Sequence, residues 1–255
     1  MAQLEEITPH VVAITTGWSG GNVGGIELDS FSVAVDTTKN YSLALEFRKA
    51  LENCFNKQVK HAFLTHHHSD HVKGMDAFIE GSVLSSKWTA SKVRSLTSVT
   101  GFPSNTFEDE YRIEDEHLHV ELYHSGGHTQ DSSYLYFPHE KVIFAGDLIF
   151  QGYLFFSGYK CDPIAWISTL EHFRELRPRK IIPGHGSVLS SPADLEKHIT
   201  LMYRFKEAIQ EGKEQNIEPR SIEVPEFVLS YSERVPEIEL VKWFRRTAVS
   251  WYRHL

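Results

Sequence analysis

The chain has 255 residues, of which 41% are hydrophobic and 24% charged, and its formal net charge is -8. This composition is that of a globular protein long enough for a sizeable core, and the acidic balance argues against a nucleic-acid partner bound through a global basic field. Because only 2 Cys accompany 15 His, a disulfide-stapled secreted module is excluded and a reducing compartment is expected.

The start of the chain and its apolar runs predict a cytoplasmic protein. Residues 1–6, MAQLEE, are acidic and lack the basic start and apolar stretch of an export signal. The longest apolar runs fall far short of the roughly 20 residues that a membrane helix needs, so no membrane partner is expected.

Strand-like and helix-like segments alternate over the first two thirds of the chain. Short β-branched runs predict strands at residues 11–14, 31–35, 59–64, 119–122, 134–137, 142–144 and 180–182. Gly20-Gly21 and Gly24-Gly25 are expected to mark tight turns. Helical spacing predicts one helix through Leu43, Phe47, Leu51 and Cys54 and another through Trp166, Leu170, Phe173 and Leu176. The alternation indicates sheets covered by helices, a layered α/β fold.

After Gly186 the pattern becomes helical. One helix is predicted through Leu195, Ile199, Met202, Phe205 and Ile209, ending at Gly212, and a last one through Val241, Phe244, Ala248, Trp251 and Leu255. No linker or repeat divides the chain. We therefore expect a single domain over residues 1–255, with residues 187–255 forming a C-terminal helical extension packed on it.

The last predicted helix must dock on something. Docking on its own domain is the simplest expectation, while a subunit contact that makes a homodimer, or a wall of the substrate cleft, stays open. Cations near a helix C-terminus complement the helix dipole and need no further role. Those of this helix could also meet an anionic substrate; they are Lys242, Arg245, Arg246 and Arg253.

A dense group of metal-ligand side chains, residues 65–71 (THHHSDH), directly follows the strand predicted at 59–64. Sites collect at the carboxyl ends of strands in open α/β folds. In extended backbone the side chains of His66 and His68 lie on the same face and can bind one ion together. His67 points the other way, so His67→Ala is expected to be near neutral. Asp70 and His71 come one turn later and can reach a second ion. Nitrogen donors with a carboxylate suit Zn²⁺ or Fe better than Ca²⁺ or Mg²⁺.

A cluster this local cannot complete two coordination spheres, so more ligands are expected from distant strand ends. The candidates are His128 after Gly126-Gly127, Asp147 after Gly146, and His185 between Gly184 and Gly186. Each stands just past an apolar strand and beside glycine, which lets the backbone turn sharply and approach a metal group closely.

Taken in order, these motifs resemble those of the metallo-β-lactamase fold superfamily. The matching motifs are H-x-H-x-D-H at residues 66–71, Gly-His-Thr at His128, Gly-Asp at Asp147 and Pro-Gly-His-Gly around His185. The resemblance covers residues 11–185, and the helices after Gly186 match more loosely. It implies an αββα sandwich with a metal pair at the sheet edges.

The resemblance also implies a ligand set. His66, His68 and His128 would hold one ion, Asp70, His71 and His185 the other, and Asp147 would bridge both. The expected cofactors are two Zn²⁺, with Fe or a mixed Fe/Zn pair open.

Two adjacent cations lower the pKa of a shared water; at a single catalytic zinc the drop is from about 15.7 to around 7. The expected activity is therefore metal-dependent hydrolysis, in which a hydroxide bridging two metal ions attacks a small-molecule ester, thioester or lactone. Asp70 is the expected catalytic residue, because it would orient the hydroxide as well as bind metal. Thr65 and Thr129 are candidates to orient the ligand histidines.

Departures from known branches narrow the substrate. Asp147 stands where many true β-lactamases have Cys or no ligand, so β-lactam hydrolysis is not the expected main task. His68 replaces the Glu of the flavodiiron reductases, which argues against that branch. The ligand set is similar to that of glyoxalase-II-type thioesterases, but their C-terminal Lys/Arg glutathione-binding pattern is not found in residues 187–255. Lactonases and phosphodiesterases share the same ligands.

Two rival functions remain. A persulfide-dioxygenase-like enzyme would use one Fe held by His66, His128 and Asp147, and a ligand-binding relative would have lost turnover. The aromatic stretch at residues 151–159 is expected to line an apolar pocket, with core packing an equal alternative. His124 is a candidate pocket or supporting residue, and His117 with His119 is expected on a solvated face.

Overall fold

The computed structural model describes residues 3–17, 20–96, 101–152, 161–231 and 235–255. Within these ranges the strands form one seven-stranded and one five-stranded sheet. The helices lie on the outer faces of the two sheets, so the architecture is the expected αββα sandwich.

The first sheet contains the first seven strands in their chain order. They are β1 (Glu5–Thr8), β2 (Val11–Ile14), β3 (Val23–Glu27), β4 (Ser32–Val35), β5 (Val59–Leu64), β6 (Ser82–Ser86) and β7 (Asn105–Phe107). Strands β1 to β4 pair antiparallel, whereas β4 to β7 pair parallel. Parallel pairing requires crossover connections, and the helices α1 (Tyr41–Phe55), α2 (Ser69–Val72) and α3 (Lys87–Val93) lie in them.

The second sheet has the spatial order β12-β11-β10-β9-β8. Its strands are β8 (Glu110–Asp115), β9 (Leu118–His124), β10 (Ser133–Phe137), β11 (Val142–Phe150) and β12 (Lys180–His185). Neighbouring strands pair antiparallel except β11 and β12, which are parallel and joined through α4 (Pro163–Leu176). The carboxyl ends of β5 and β12 and the β9–β10 connection therefore share one edge of the sandwich.

Alternation of side chains along β2 shows how the layers are held together. Val11 and Ala13 lie in the apolar cluster between the sheets, where Leu135 of the second sheet is also buried. Val12 and Ile14 point the other way, into the cluster that contains the buried face of α1. A strand with two buried faces reads as a continuous apolar run, as this one does.

Helix α1 begins after Asn40, whose side chain accepts a hydrogen bond from the Leu43 backbone N–H at 3.0 Å. Its buried face consists of Ala44, Phe47, Leu51 and Phe55. The predicted stripe was therefore wrong at Cys54, which is exposed. The turn predicted at Gly24-Gly25 is also wrong: both residues lie inside β3, where an added Cβ would come within 2.4 Å of Phe144 and 2.5 Å of Leu51, respectively.

Three further helices follow the second sheet: α5 (Pro192–Glu214), α6 (Glu226–Leu229) and α7 (Glu237–Trp251). Their buried side chains join those of α4 in one cluster on the outer face of the second sheet, as Phe205 and Trp251 illustrate. The predicted end of the long helix at Gly212 is wrong. Gly212 lies inside α5, where an added Cβ would come within 2.7 Å of Ile222, so the glycine serves close packing.

The C-terminal helices are thus present and pack on the sheet, while the division of the chain into domains stays a prediction. Across the described ranges, no helix combines the length and apolar character required to cross a membrane.

Candidate metal centre

The site lies at the shared edge of the two sheets. The first sheet supplies the segment after β5, in which the backbone of residues 65–68 leads directly into the short helix α2. The second sheet supplies the β9–β10 connection, β11 and the end of β12. These segments bring together all the residues that the sequence predicts as ligands, which we call the His/Asp cluster: His66, His68, Asp70, His71, His128, Asp147 and His185.

One half of the cluster consists of His66, His68, His128 and Asp147, whose ligand atoms all lie within 4.8 Å of one another. Nδ1 of His68 is 2.9 Å from Nε2 of His66 and 3.2 Å from Nε2 of His128. Three imidazole nitrogens facing one point form a donor set suited to a borderline cation such as Zn²⁺.

The other half consists of Asp70, His71 and His185, again with ligand atoms within 4.8 Å of one another. Oδ2 of Asp70 lies 3.4 Å from Nε2 of His185 and 3.7 Å from Nε2 of His71. The side chains of Asp70, His185 and His68 are 25 to 37% exposed, whereas His71 is fully buried. The cluster therefore opens to solvent on the side of these three residues.

Asp147 lies between the two halves. Its Oδ2 is 3.3 Å from Nε2 of His66 and 3.4 Å from Nε2 of His128. Its Oδ1 is 3.3 Å from Nε2 of His71 and 3.4 Å from Nε2 of His185. Each carboxylate oxygen thus faces a different half of the cluster.

Buried atoms without partners test whether the cluster fits a metal. Within the described residues, Nε2 of His71 and Oδ1 of Asp147 are buried and have no hydrogen-bond partner. Such atoms cost free energy unless something satisfies them. Both point into the cluster beside the other ligand atoms, so a bound cation is the partner that this donor set fits.

The protonation states of three cluster residues also suit metal binding. Burial lowers the pKa of His66 and of His128 below the ordinary value, although Asp147 opposes the shift. Burial alone would raise the pKa of the Asp147 carboxyl, but His71 and His66 outweigh it and hold that pKa well below its usual range. The metal-binding forms, neutral imidazole and carboxylate, are therefore favoured at these three positions.

Asp36, which the sequence analysis missed, orients the first-sheet ligands. Nδ1 of His71 donates a hydrogen bond to Oδ2 of Asp36 at 2.7 Å. The backbone N–H of Thr65 donates to Oδ1 at 2.8 Å, and the Thr65 hydroxyl donates to the same carboxylate while lying 3.1 Å from Nδ1 of His66. A carboxylate behind a ligand histidine fixes its tautomer and ring orientation. Asp36 directly follows the apolar strand β4, and the ligand segment that begins at Thr65 directly follows β5. This shared position after a strand was the signal by which the sequence could have revealed Asp36.

His67 points away from the ligand atoms, as predicted, but it is not a free spacer. Its backbone N–H and its Nδ1 both donate to the carboxylate of Asp131, at 2.9 and 2.7 Å. Asp131 is fully buried. Burial alone would raise the pKa of Asp131, but the hydrogen bond from His67 and the charges of His67 and His66 together outweigh burial and lower that pKa. This pair ties the His66–His68 segment to the loop that follows His128, and sequence reasoning missed it.

Asp147 was expected just past a strand ending at residue 144, and this boundary was wrong. Strand β11 continues to Phe150, and its pairing with β12 shifts register around Gly146. Gly146 has a φ of 52°, in the left-handed region. At Gly184 an added Cβ would lie 2.0 Å from Oδ1 of Asp147. The two glycines thus let β11 and β12 place Asp147 at the centre of the cluster.

Asn22 joins the two sheets next to the cluster. Its backbone N–H donates to the carbonyl of Gly184 at 2.6 Å. Its side-chain amide donates to the carbonyls of Pro183 and Gly186, each at 2.8 Å. The β2–β3 connection of the first sheet is thereby fastened to the end of β12, which carries His185.

Aromatic side chains form the wall of the cluster on the second-sheet side. The Phe150 ring stacks on His185 at a centroid distance of 5.4 Å and meets the edge of His128, also at 5.4 Å. Trp166 packs at 5.5 Å against His128. Of the aromatic stretch expected to line a pocket, residues 153–159 lie outside the described residues.

The remaining candidates lie elsewhere. His124 donates to the Gln130 carbonyl at 2.8 Å and stacks on Trp88. Thr129 bonds Ser132 and not a ligand histidine, so of the two threonines only Thr65 supports the cluster. His117 is largely exposed, as expected for a solvated face.

Comparisons with known proteins support a family assignment. The model of the metallo-beta-lactamase superfamily matches residues 16–185, which is more than half of the chain. Among solved structures, a metallo-beta-lactamase from Pontibacter korlensis superposes with a TM-score of 0.67 at 22% identity, covering 79% of this chain and 98% of that one. At this identity the similarity establishes the fold alone.

Two curated relatives are matched over only part of their length. The chain is 25% identical to a beta-lactamase-like protein 2 homolog of Caenorhabditis elegans over 71% of this chain and 62% of that protein. It is 27% identical to a hydroxyacylglutathione hydrolase of Bartonella henselae over 58% and 59%, respectively. The chain thus spans about three fifths of the length of these relatives. The fold, the His/Asp cluster and the family match agree, and the chain belongs to the metallo-beta-lactamase superfamily.

Proposed function

We propose that the protein is a metal-dependent hydrolase that acts on an ester, thioester or lactone of a small molecule. The observation that carries the proposal is the position of Asp147, whose two carboxylate oxygens face different halves of the His/Asp cluster at 3.3 to 3.4 Å. In this proposal His66, His68 and His128 would hold one Zn²⁺, Asp70, His71 and His185 would hold the other, and Asp147 would contribute to both. Two such ions would lower the pKa of a bound water to near neutral pH and would stabilise the negative charge that develops on the substrate.

The chain's own residues provide orientation. Asp70 is partly exposed at the open side of the cluster, so its carboxylate can accept a hydrogen bond from the attacking water and orient it. Asp36 and Asp131 keep the neighbouring histidine-bearing segment fixed. Preorganised groups of this kind need not rearrange as charge develops in the transition state.

The aromatic side chains beside the His/Asp cluster favour an acyl substrate. Phe150 and Trp166 present apolar rings beside His128 and His185. An apolar wall next to a polar centre favours an acyl group whose carbonyl faces the cluster. The relative named hydroxyacylglutathione hydrolase acts, by its name, on an acyl derivative of a thiol, which supports a thioester within the proposed range.

Metal analysis combined with a substrate panel tests the proposal. Protein produced without added metal is analysed for Zn and Fe and then assayed, with each metal added, on an aryl acetate, an acyl thioester, a lactone and a phosphodiester. We expect about two ions per chain, hydrolysis of an acyl substrate, and loss of activity with a chelator that Zn²⁺ reverses.

Other outcomes contradict the proposal in recognisable ways. About one Fe per chain with oxygen uptake on a persulfide would establish the dioxygenase alternative. Failure of the whole panel with fully loaded protein would establish a relative without turnover. The cytoplasmic location and the homodimer stay predictions.

A further inference from the structure

A cavity of about 770 Å³ lies along the outer face of α7, at the far side of that helix from the core. Its apolar lining includes Ile238, Val241 and Val249. We call this cavity the α7 groove. Its lining also includes four arginines, Arg220, Arg245, Arg246 and Arg253. Its volume is within the range of small-molecule sites.

The arginines of the α7 groove are available to a ligand. Lys242 is bound to Glu239 at 3.2 Å. In the described part of the chain, by contrast, the side chains of the four arginines make no ion pair or hydrogen bond with the protein. The whole chain carries a net charge of -8, so a local group of four unpaired arginines has the opposite sign to the overall charge. Guanidinium groups bind phosphates through paired hydrogen bonds.

A chain of contacts connects the α7 groove with the His/Asp cluster. Ser250, which lines the groove, lies 3.1 Å from Sγ of Cys161. The backbone N–H of the next residue, Asp162, donates to the carbonyl of Gly127 at 2.8 Å. Gly127 precedes His128 directly. One lining residue of the groove therefore contacts the segment that supports one ligand of the cluster.

We propose that the α7 groove binds the phosphorylated carrier of an acyl thioester, a nucleotide-bearing thiol of the coenzyme A type, whose acyl group reaches the His/Asp cluster. The inference rests on the proposed hydrolase function and names its substrate class. In the reaction water adds to the thioester carbonyl, the C–S bond breaks, and the thiol leaves with one proton while the carboxylic acid forms.

Charge favours this occupant over a second copy of the chain. A twofold interface through α7 would place the same arginines of both copies against one another, and like charges across an interface are costly. The concave shape favours a compact ligand over a membrane surface. A small molecule with several phosphates matches the four free cations and also buries the apolar lining.

Binding is measured first, independently of turnover. The probe is desulfo-coenzyme A, which lacks the thiol and so cannot ligate a metal, titrated calorimetrically into the full chain. We expect Arg245→Gln and Arg246→Gln each to weaken binding about tenfold, the loss typical of one charged hydrogen bond, with thermal unfolding unchanged. Arg112→Gln is the matched control, because Arg112 is an exposed arginine of β8 paired with Glu114.

Turnover is measured second, on acetyl-coenzyme A and on S-acetylpantetheine, which has the same thioester without the nucleotide. We expect Arg245→Gln to raise KM for acetyl-coenzyme A and to leave hydrolysis of S-acetylpantetheine unchanged. Hydrolysis of S-acetylpantetheine without binding of desulfo-coenzyme A would overturn the inference and leave the hydrolase function intact. Binding without hydrolysis of either thioester would overturn the function and leave the groove as a binding site. Binding only to an acidic acyl carrier protein, or only to phosphatidylserine vesicles, would overturn the groove's assignment.

Discussion

The His/Asp cluster and the α7 groove use charged residues in opposite ways. In the cluster, Asp147 is only 6% exposed and every ligand side chain lies against another. In the groove, Ile238 is 74% exposed and the arginines have no partners among the described residues. The cluster is held in place by hydrogen bonds that the carboxylates of Asp36 and Asp131 accept, whereas the charged side chains of the groove are free to adapt.

This difference matches two different tasks. A reacting centre gains from groups fixed before the substrate arrives, because no reorganisation is then needed during the reaction. A binding surface for a charged ligand gains instead from solvated cations that steer and then pair with it. If this division is correct, substitutions in the cluster act on metal content and rate, while those in the groove act on affinity for one substrate class.

The largest expected effect is that of Asp147→Ala. The carboxylate lies between both halves of the cluster, so we expect activity to fall by at least about 10³-fold and the metal content of the purified protein to drop. Metal per chain and initial rates are measured together. Asp109→Ala is the control, because Asp109 is exposed and distant in sequence from every ligand. Full activity with an unchanged metal content would disprove the bridging position.

A smaller effect is expected for Asp36→Asn, which tests whether orientation of the cluster matters. Asn tolerates the positive φ of 59° at this position, so the backbone is preserved while the charge that orients His71 is lost. We expect metal affinity to fall about 10- to 100-fold in chelator competition. Asp115→Asn, which replaces a half-buried carboxylate that also accepts a backbone N–H and a hydroxyl, should leave metal affinity unchanged. Equal effects of the two variants would show that Asp36 has no specific role.

His67→Ala separates stability from metal binding. The sequence predicts a near-neutral variant, but the structure shows that the change removes the ring partner of buried Asp131. We expect the free energy of unfolding to fall by about 1–3 kcal/mol while metal per chain stays at the wild-type value. His172→Ala, an exposed histidine on α4, serves as the control in the same denaturant titrations. A loss of metal as strong as that of His68→Ala would place His67 in the cluster.

The smallest expected effect concerns the junction between the C-terminal helices and β11. His198 of α5 donates to Oε1 of Gln151 at 3.0 Å, and burial lowers the pKa of His198 from 6.5 to about 4. Below pH 6.5 the imidazole is protonated in the unfolded chain, whereas in the folded protein it is protonated only near pH 4. This contribution to stability is therefore present above pH 6.5 and is lost as the pH falls from 6.5 to about 4.

His198→Gln should flatten this part of the stability profile. We expect the variant to lose about 1–2 kcal/mol less than the wild type between pH 7 and pH 5. His172→Gln should follow the wild-type profile. If the unfolding free energies of the wild type and His198→Gln depend on pH in the same way, the imidazole of His198 is protonated equally readily in the folded and unfolded protein.

Sequence reasoning succeeded where function depends on short motifs after strands. The αββα class and the superfamily are confirmed, and all seven predicted ligands meet at one edge, although their binding of metal stays a prediction. The motifs could be found because each lies within a few residues of a recognisable apolar strand. The carboxyl ends of parallel strands share an edge, so the meeting point follows from topology.

The errors and omissions depend on partners distant in the chain. The roles of Gly24 and Gly212 are set by Phe144 and Ile222, which local sequence cannot reveal. Asp36 and Asp131 are single acids whose partners lie 35 and 64 residues away. On α7 the adjacent apolar residues Leu240 and Val241 both fit a helical stripe; the structure buries Leu240 and leaves Val241 at the groove. Periodicity alone could not choose between them.

Asn22 has a consequence for the geometry of the cluster. Its three hydrogen bonds hold the β2–β3 connection to the backbone on both sides of His185. The first sheet supplies four residues of the cluster and the second sheet three, so the distances within the cluster depend on how the two sheets are held together. Local opening of this edge of the sandwich would separate the two groups of residues, and the hydrogen bonds of Asn22 oppose that opening.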